Sequence, residues 1–168
     1  MPRKPPLVPN PTFPATILIS DAEQLPYSFA GLAADVEFGG GEWQVPTKTQ
    51  YLKTGDYTLE GHITSVGVER KSCSDLFRTL SQERARFIRE LERFEPYTFA
   101  AVVVEGEWNE ILNNPPPYSR LDPRLIYRSI IAWQQRYPWV HWWFVPDRDH
   151  GEATTFRILE RYLREQTK

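Results

Sequence analysis

At 168 residues and a formal net charge of −2, the chain is sized for one compact domain and lacks the basic excess of a tight nonspecific nucleic-acid binder. Its lone cysteine, Cys73, excludes an internal disulfide and a multi-thiolate zinc site. No apolar stretch is long enough to span a bilayer and no signal-peptide core opens the chain, which predicts a soluble intracellular protein of the cytoplasm or nucleoid with no membrane partner.

Residues 1–14 carry Pro2, Pro5, Pro6, Pro9, Pro11 and Pro14, which favours an extended, flexible tail ahead of a folded domain over 15–168. Ile17, Leu18 and Ile19 mark 15–20 as a buried first strand. Residues 24–34 read as a loop with a short helical turn. Gly39-Gly40-Gly41 then turns the chain into an alternating stretch, 43–52, with strand character. Residues 55–71 form a hairpin about Gly61-His62-Ile63-Thr64 if Asp56 lies across from Glu69 and Thr58 from Gly67.

Leu76, Phe77, Leu80, Phe87, Ile88, Leu91 and Phe94 recur at helical spacing over 74–95, with Ser74 as N-cap and Pro96 beyond the end. The interleaved Glu83, Glu90 and Glu92 read as solvated partners of nearby arginines. The Val- and Ala-rich run 99–104 suits a central parallel strand, 108–112 a short helix, and Asp122-Pro123 the start of a helix to about residue 137. A strand over 139–145 and a helix over 151–165 complete a mixed central β-sheet flanked by helices, an α/β fold with a parallel crossover. Trp133, Trp139, Trp142 and Trp143 fall on these elements and read mainly as core, with base stacking the minor alternative.

In the hairpin register, strand alternation puts Asp56, Glu69 and Lys71 on one face and Tyr57, Leu59, Val66 and Val68 on the other. Phosphodiester hydrolysis needs a divalent cation, an activated water and relief of phosphate charge. Asp56 and Glu69 supply the two carboxylates that Mg²⁺ (or Mn²⁺) commonly takes alongside water and phosphate oxygens. Lys71 can orient the attacking water or offset charge developing on the phosphate. Arg70 points away from Lys71, to brace the site through a carboxylate or to touch DNA. Asp75 falls at the next helix start, where it caps or orients a neighbour. The arginine series Arg120, Arg124 and Arg128 reads equally as a DNA-backbone contact or as a solvated helix face.

The run Gly55-Asp56-Tyr57, Val68-Glu69-Arg70-Lys71-Ser72 and Asp75-Leu76 closely resembles the signature of the XPF-type nucleases, structure-selective DNA endonucleases with the restriction-endonuclease-like PD-(D/E)XK fold. The resemblance implies metal ligation by Asp56 and Glu69, a catalytic Lys71, and supporting roles for Arg70 and Asp75. At the first strand, where the family has Asp-x-Arg-Glu, this chain has Ser20-Asp21-Ala22-Glu23. Glu23 matches and is implied as a further acid near the metal. Asp21 sits one position off, on the wrong side of the strand. The resemblance also implies branched, flapped or distorted DNA as substrate, in repair or recombination. It further implies a homodimer or a partner subunit that supplies targeting, since the family's helix-hairpin-helix module has no counterpart here. The alternative is a weak or inactive nuclease-like subunit for DNA binding or dimerisation, to which the altered segment 20–22 points.

Overall fold

In the computed structural model, residues 9–168 are described. A six-stranded sheet runs in the order β2-β1-β3-β4-β5-β6, with β1 Ile17–Ser20, β2 Thr47–Gln50, β3 Tyr57–Leu59, β4 Val66–Ser72, β5 Phe99–Glu105 and β6 Val140–Val145. The β1–β3 and β3–β4 pairs are antiparallel, while β1–β2, β4–β5 and β5–β6 are parallel, so the sheet is mixed. Tyr57 lies across from Val68, the register that also sets Asp56 across from Glu69.

Among the described residues five α-helices flank the sheet: α1 Cys73–Ser81, α2 Arg84–Arg93, α3 Trp108–Asn113, α4 Pro123–Arg136 and α5 Arg148–Gln166. One face packs on α5, through Ile17, Ile19, Tyr57, Val66, Val68, Ala101 and Val103 against Phe156 and Leu159. The other face packs on α1, α2 and α4, through Ala100, Val102 and Val104 against Leu76, Leu80, Phe87, Leu91, Ile126 and Ile130. β5 is therefore buried on both sides, which explains its unbroken aliphatic run.

Several expected boundaries shift. Phe13 is buried among Trp43 and Phe156, and its backbone N–H donates to Gln44, so the packed chain begins before residue 15. Residues 1–8 of the expected tail lie outside the described residues. The strand expected over 43–52 narrows to Thr47–Gln50, preceded by isolated bridges from Thr12 to Gln44 and from Ala33 to Glu42. The single helix expected over 74–95 is two, broken at Gln82 and Glu83. It is capped by Ser72 rather than Ser74, because the Ser72 hydroxyl accepts from the Asp75 N–H. α5 begins at Arg148, where the Asp147 carboxylate accepts from the His150 N–H. Trp133 is core, but Trp143 is 47% exposed on the outer strand. No helix among the described residues is long and apolar enough to cross a membrane.

Candidate active site

Gly55 sets the direction of the first carboxylate. Its φ of +76° is open to glycine, and an added Cβ would stand 3.2 Å from the Phe94 ring and 3.3 Å from the Val68 carbonyl. The next residue, Asp56, enters the sheet with its N–H on the Val68 carbonyl and its own carbonyl accepting from Ser20. Asp56 Oδ2 accepts the Arg70 backbone N–H at 2.8 Å.

β4 carries the rest. Its residues alternate between faces, so Glu69 and Lys71 project toward α1 and α2 while Arg70 projects toward α5. Asp56, Glu69, Arg70, Lys71, Asp75 and Glu23 all line one cleft of about 570 Å³. Lys71 Nζ donates to Glu69 Oε1 at 2.5 Å and sits 4.9 Å from the Phe87 ring centroid.

The electrostatics follow from burial. Burial raises the Glu69 carboxyl to about 7, opposed by Lys71 and reinforced by Glu90. The Asp56 carboxyl is pushed well above its ordinary range, first by burial and next by Glu69. Burial favours loss of the Lys71 charge, but Glu69, Asp56 and Glu90 outweigh it and hold the ammonium protonated. Two adjoining carboxylates, Glu69 buried and Asp56 half-buried, that resist ionising together are a donor set a divalent cation would relieve. Mg²⁺ takes one or two carboxylates and completes its shell with water and phosphate oxygens, so Asp56 and Glu69 fit it. Among the described residues no three His, Cys, Asp or Glu side chains form a ready-made cation cage.

Glu23, implied above as a third acid, has other partners. Its Oε1 accepts from the Leu25 N–H at 2.9 Å and from Arg70 Nη1 at 3.3 Å, which turns it toward the guanidinium. The strand-end Ser20 is buried, and its hydroxyl accepts from the Ala22 N–H within the turn. Asp21 is exposed and is not among the cleft residues. Asp75, in the first turn of α1, closes the Ser72 cap: its carboxylate accepts from the Ser72 hydroxyl at 2.8 Å and from Arg78 at 2.9 Å. Arg120, Arg124 and Arg128 are exposed and form no ion pair among the described residues, but none of the three lines this cleft.

Two acids escaped the sequence reading. Glu90 comes from α2 to within hydrogen-bonding reach of Glu69 and also receives the Gly55 N–H at 3.4 Å. Its three-residue spacing from Phe87, on the same helical stripe, was the available signal. Glu105, at the end of β5, forks onto Arg70 Nε and Nη2 at 2.7 and 2.8 Å and accepts from the Tyr27 hydroxyl at 2.6 Å. A charged residue closing a fully apolar strand is the feature that marks it.

The chain is similar in fold to a solved structure of XPF from Aeropyrum pernix, with a TM-score of 0.60 and 22% identity. The match covers 91% of this chain and 62% of that one, so this chain spans less than two thirds of that structure's length. No curated protein matches it. The ERCC4 domain model matches residues 41–156, which include the hairpin, Asp56, the Glu69-Arg70-Lys71 run and the strands that carry them. The chain therefore belongs to the ERCC4 domain family of DNA-acting nucleases.

Proposed function

We propose that this protein is a metal-dependent DNA endonuclease that hydrolyses phosphodiester bonds in branched, flapped or otherwise distorted DNA during repair or recombination. The observation that carries the reading is the meeting of Asp56, Glu69 and Lys71 in one cleft, on the sheet face away from α5. Asp56 and Glu69 would hold Mg²⁺ or Mn²⁺. A cation held by these two carboxylates would supply a water of lowered pKa and Lewis-acid polarisation of a phosphoryl oxygen. Lys71, kept charged by the surrounding acids, orients the attacking water and offsets charge gathering on the phosphate. Arg70 acts as a positioning residue: its backbone fixes Asp56 while its side chain is locked on Glu105 and Glu23. Asp75 holds the start of α1 against the end of β4.

A second reading, a nuclease-like subunit that binds DNA or dimerises without cutting, draws on one observation. Ser20 places a turn-bound hydroxyl where the family has an acid. The two readings separate on a panel of labelled linear, flap, fork and four-way DNAs with Mg²⁺ or Mn²⁺. The endonuclease nicks the distorted forms, chelator stops it, and Glu69→Gln or Lys71→Ala abolishes cleavage while DNA binding survives. Wild-type protein that binds these DNAs and leaves every one intact fits the second reading.

A further inference from the structure

Beside the acidic cleft lies a second cavity of about 740 Å³, between α1 and the segment leading into α4. Asp75 and Arg78 line both, so a single ridge of α1 separates the two. Across the ridge stand Tyr118 and Arg120. Tyr118 is 69% exposed, yet its backbone is well tied. Pro115, Pro116 and Pro117 precede it, the Ser119 N–H donates to the Pro116 carbonyl at 2.9 Å, and the Leu121 N–H donates to the Ser119 hydroxyl at 3.2 Å. Leu121 packs on the core beneath α1 and α4. Each proline fixes φ, so little backbone freedom remains to be lost when a ligand meets the ring.

Arg120 is exposed and has no ion-pair partner among the described residues, which leaves its guanidinium available. Ser74, Ser81 and Gln82 add neutral hydrogen-bonding groups along the wall. An open aromatic face, a free guanidinium and neutral polar groups together suit one unpaired nucleotide. The base stacks, the phosphate pairs, and the sugar and base edges find hydrogen bonds. Base pairs within a continuous duplex have no free face to offer a tyrosine.

We propose that this groove holds an unpaired nucleotide of a DNA strand that leaves the acidic cleft over the Asp75–Arg78 ridge, with Tyr118 stacked on its base and Arg120 on its phosphate. The inference rests on the nuclease reading and narrows it. The substrate it specifies has a single-stranded arm adjoining the cut linkage.

The test is binding in the presence of chelator, by fluorescence anisotropy with labelled oligothymidine and a blunt hairpin duplex. Tyr118→Ala weakens oligothymidine binding about 5- to 50-fold, and Tyr118→Phe restores it, because the face of the ring and not the hydroxyl carries the contact. Arg120→Gln weakens the same binding and flattens its salt dependence by about one unit of slope. Both variants bind duplex as the wild type does. Failure of wild-type protein to bind oligothymidine overturns the proposal. So does a Tyr118→Ala variant that binds it like wild type, or one that loses both ligands equally. Cleavage of flap DNA by wild-type protein with Mg²⁺ is scored separately. Tyr118-dependent binding without cleavage removes the hydrolase and keeps the groove, whereas cleavage with Tyr118-independent binding removes only the groove.

Discussion

The backbone N–H of Arg70 donates to Asp56 Oδ2 at 2.8 Å, so the residue between Glu69 and Lys71 fixes a carboxylate on their face of the sheet. The Arg70 side chain leaves by the opposite face and is clamped there by Glu105. One residue thus ties the acidic cleft to the layer beneath α5.

Glu105→Ala should be costly. The Arg70 and Glu105 side chains are only 8% and 9% exposed, so removing Glu105 strands a buried guanidinium, with Glu23 as partial relief. We expect a loss of about 3 kcal/mol in urea denaturation, with Glu105→Gln losing less because it keeps an acceptor. Cleavage should fall further than the lost stability accounts for, since the Arg70 segment also holds Asp56.

Gly151→Ala should disturb the same network from α5. A Cβ there would lie 2.4 Å from the Tyr27 hydroxyl and 3.2 Å from Glu105 Cγ, so the Tyr27–Glu105 hydrogen bond must shift. A loss of about 1–3 kcal/mol in thermal or urea unfolding is expected for such overpacking. Wild-type stability in this variant would mean that the Tyr27–Glu105 contact yields freely.

Metal-free stability should fall as pH rises. The folded-state carboxyl of Glu69 lies at about 7 against an ordinary 4.5, and Asp56 is shifted the same way. Between these values the folded protein holds protons that the unfolded chain has released. The stabilisation is therefore complete below 4.5 and disappears as pH passes upward through about 7. Urea titrations in chelator should register a drop on the order of 1–3 kcal/mol across that window. Asp56→Asn keeps an acceptor for the Arg70 N–H and should flatten the slope. Saturating Mg²⁺ should raise stability above pH 7 in wild type, by about 2.7 kcal/mol at a hundredfold excess over Kd, and not in this variant.

Ser20→Asp combined with Ala22→Arg should raise cleavage of flap DNA at equal protein and metal. Ser20 already lines the cleft, and an aspartate can accept from the residue-22 N–H as the serine does. Unchanged or lower turnover by a properly folded double variant would show that the native segment does not limit the reaction.

The hairpin was readable because two independent patterns select one register. Tyr57, Leu59, Val66 and Val68 demand a buried face, and the same alternation sends Glu69 and Lys71 to the opposite side. β5 was readable because burial on both faces leaves only aliphatic residues. The helix break at Gln82 and Glu83 was not, since neither residue is a strong breaker and the apolar spacing continues past it. The break re-aims α2, and with it Glu90, which the alternation with neighbouring arginines assigned to solvent. Glu105 was hidden for a related reason: its partners come from β4 and from the segment around Tyr27, distant in sequence, and pair only once the sheet is assembled.

The two margins of the sheet differ in chemistry. β2 ends one side with Thr47, Lys48 and Thr49 exposed, a charged and hydrophilic border that discourages a further strand from docking. β6 closes the other with Trp143 in the open. In concentrated samples, fibrillar aggregation by strand addition should therefore be one-sided and grow from the tryptophan border, and Trp143→Lys should keep such samples clear.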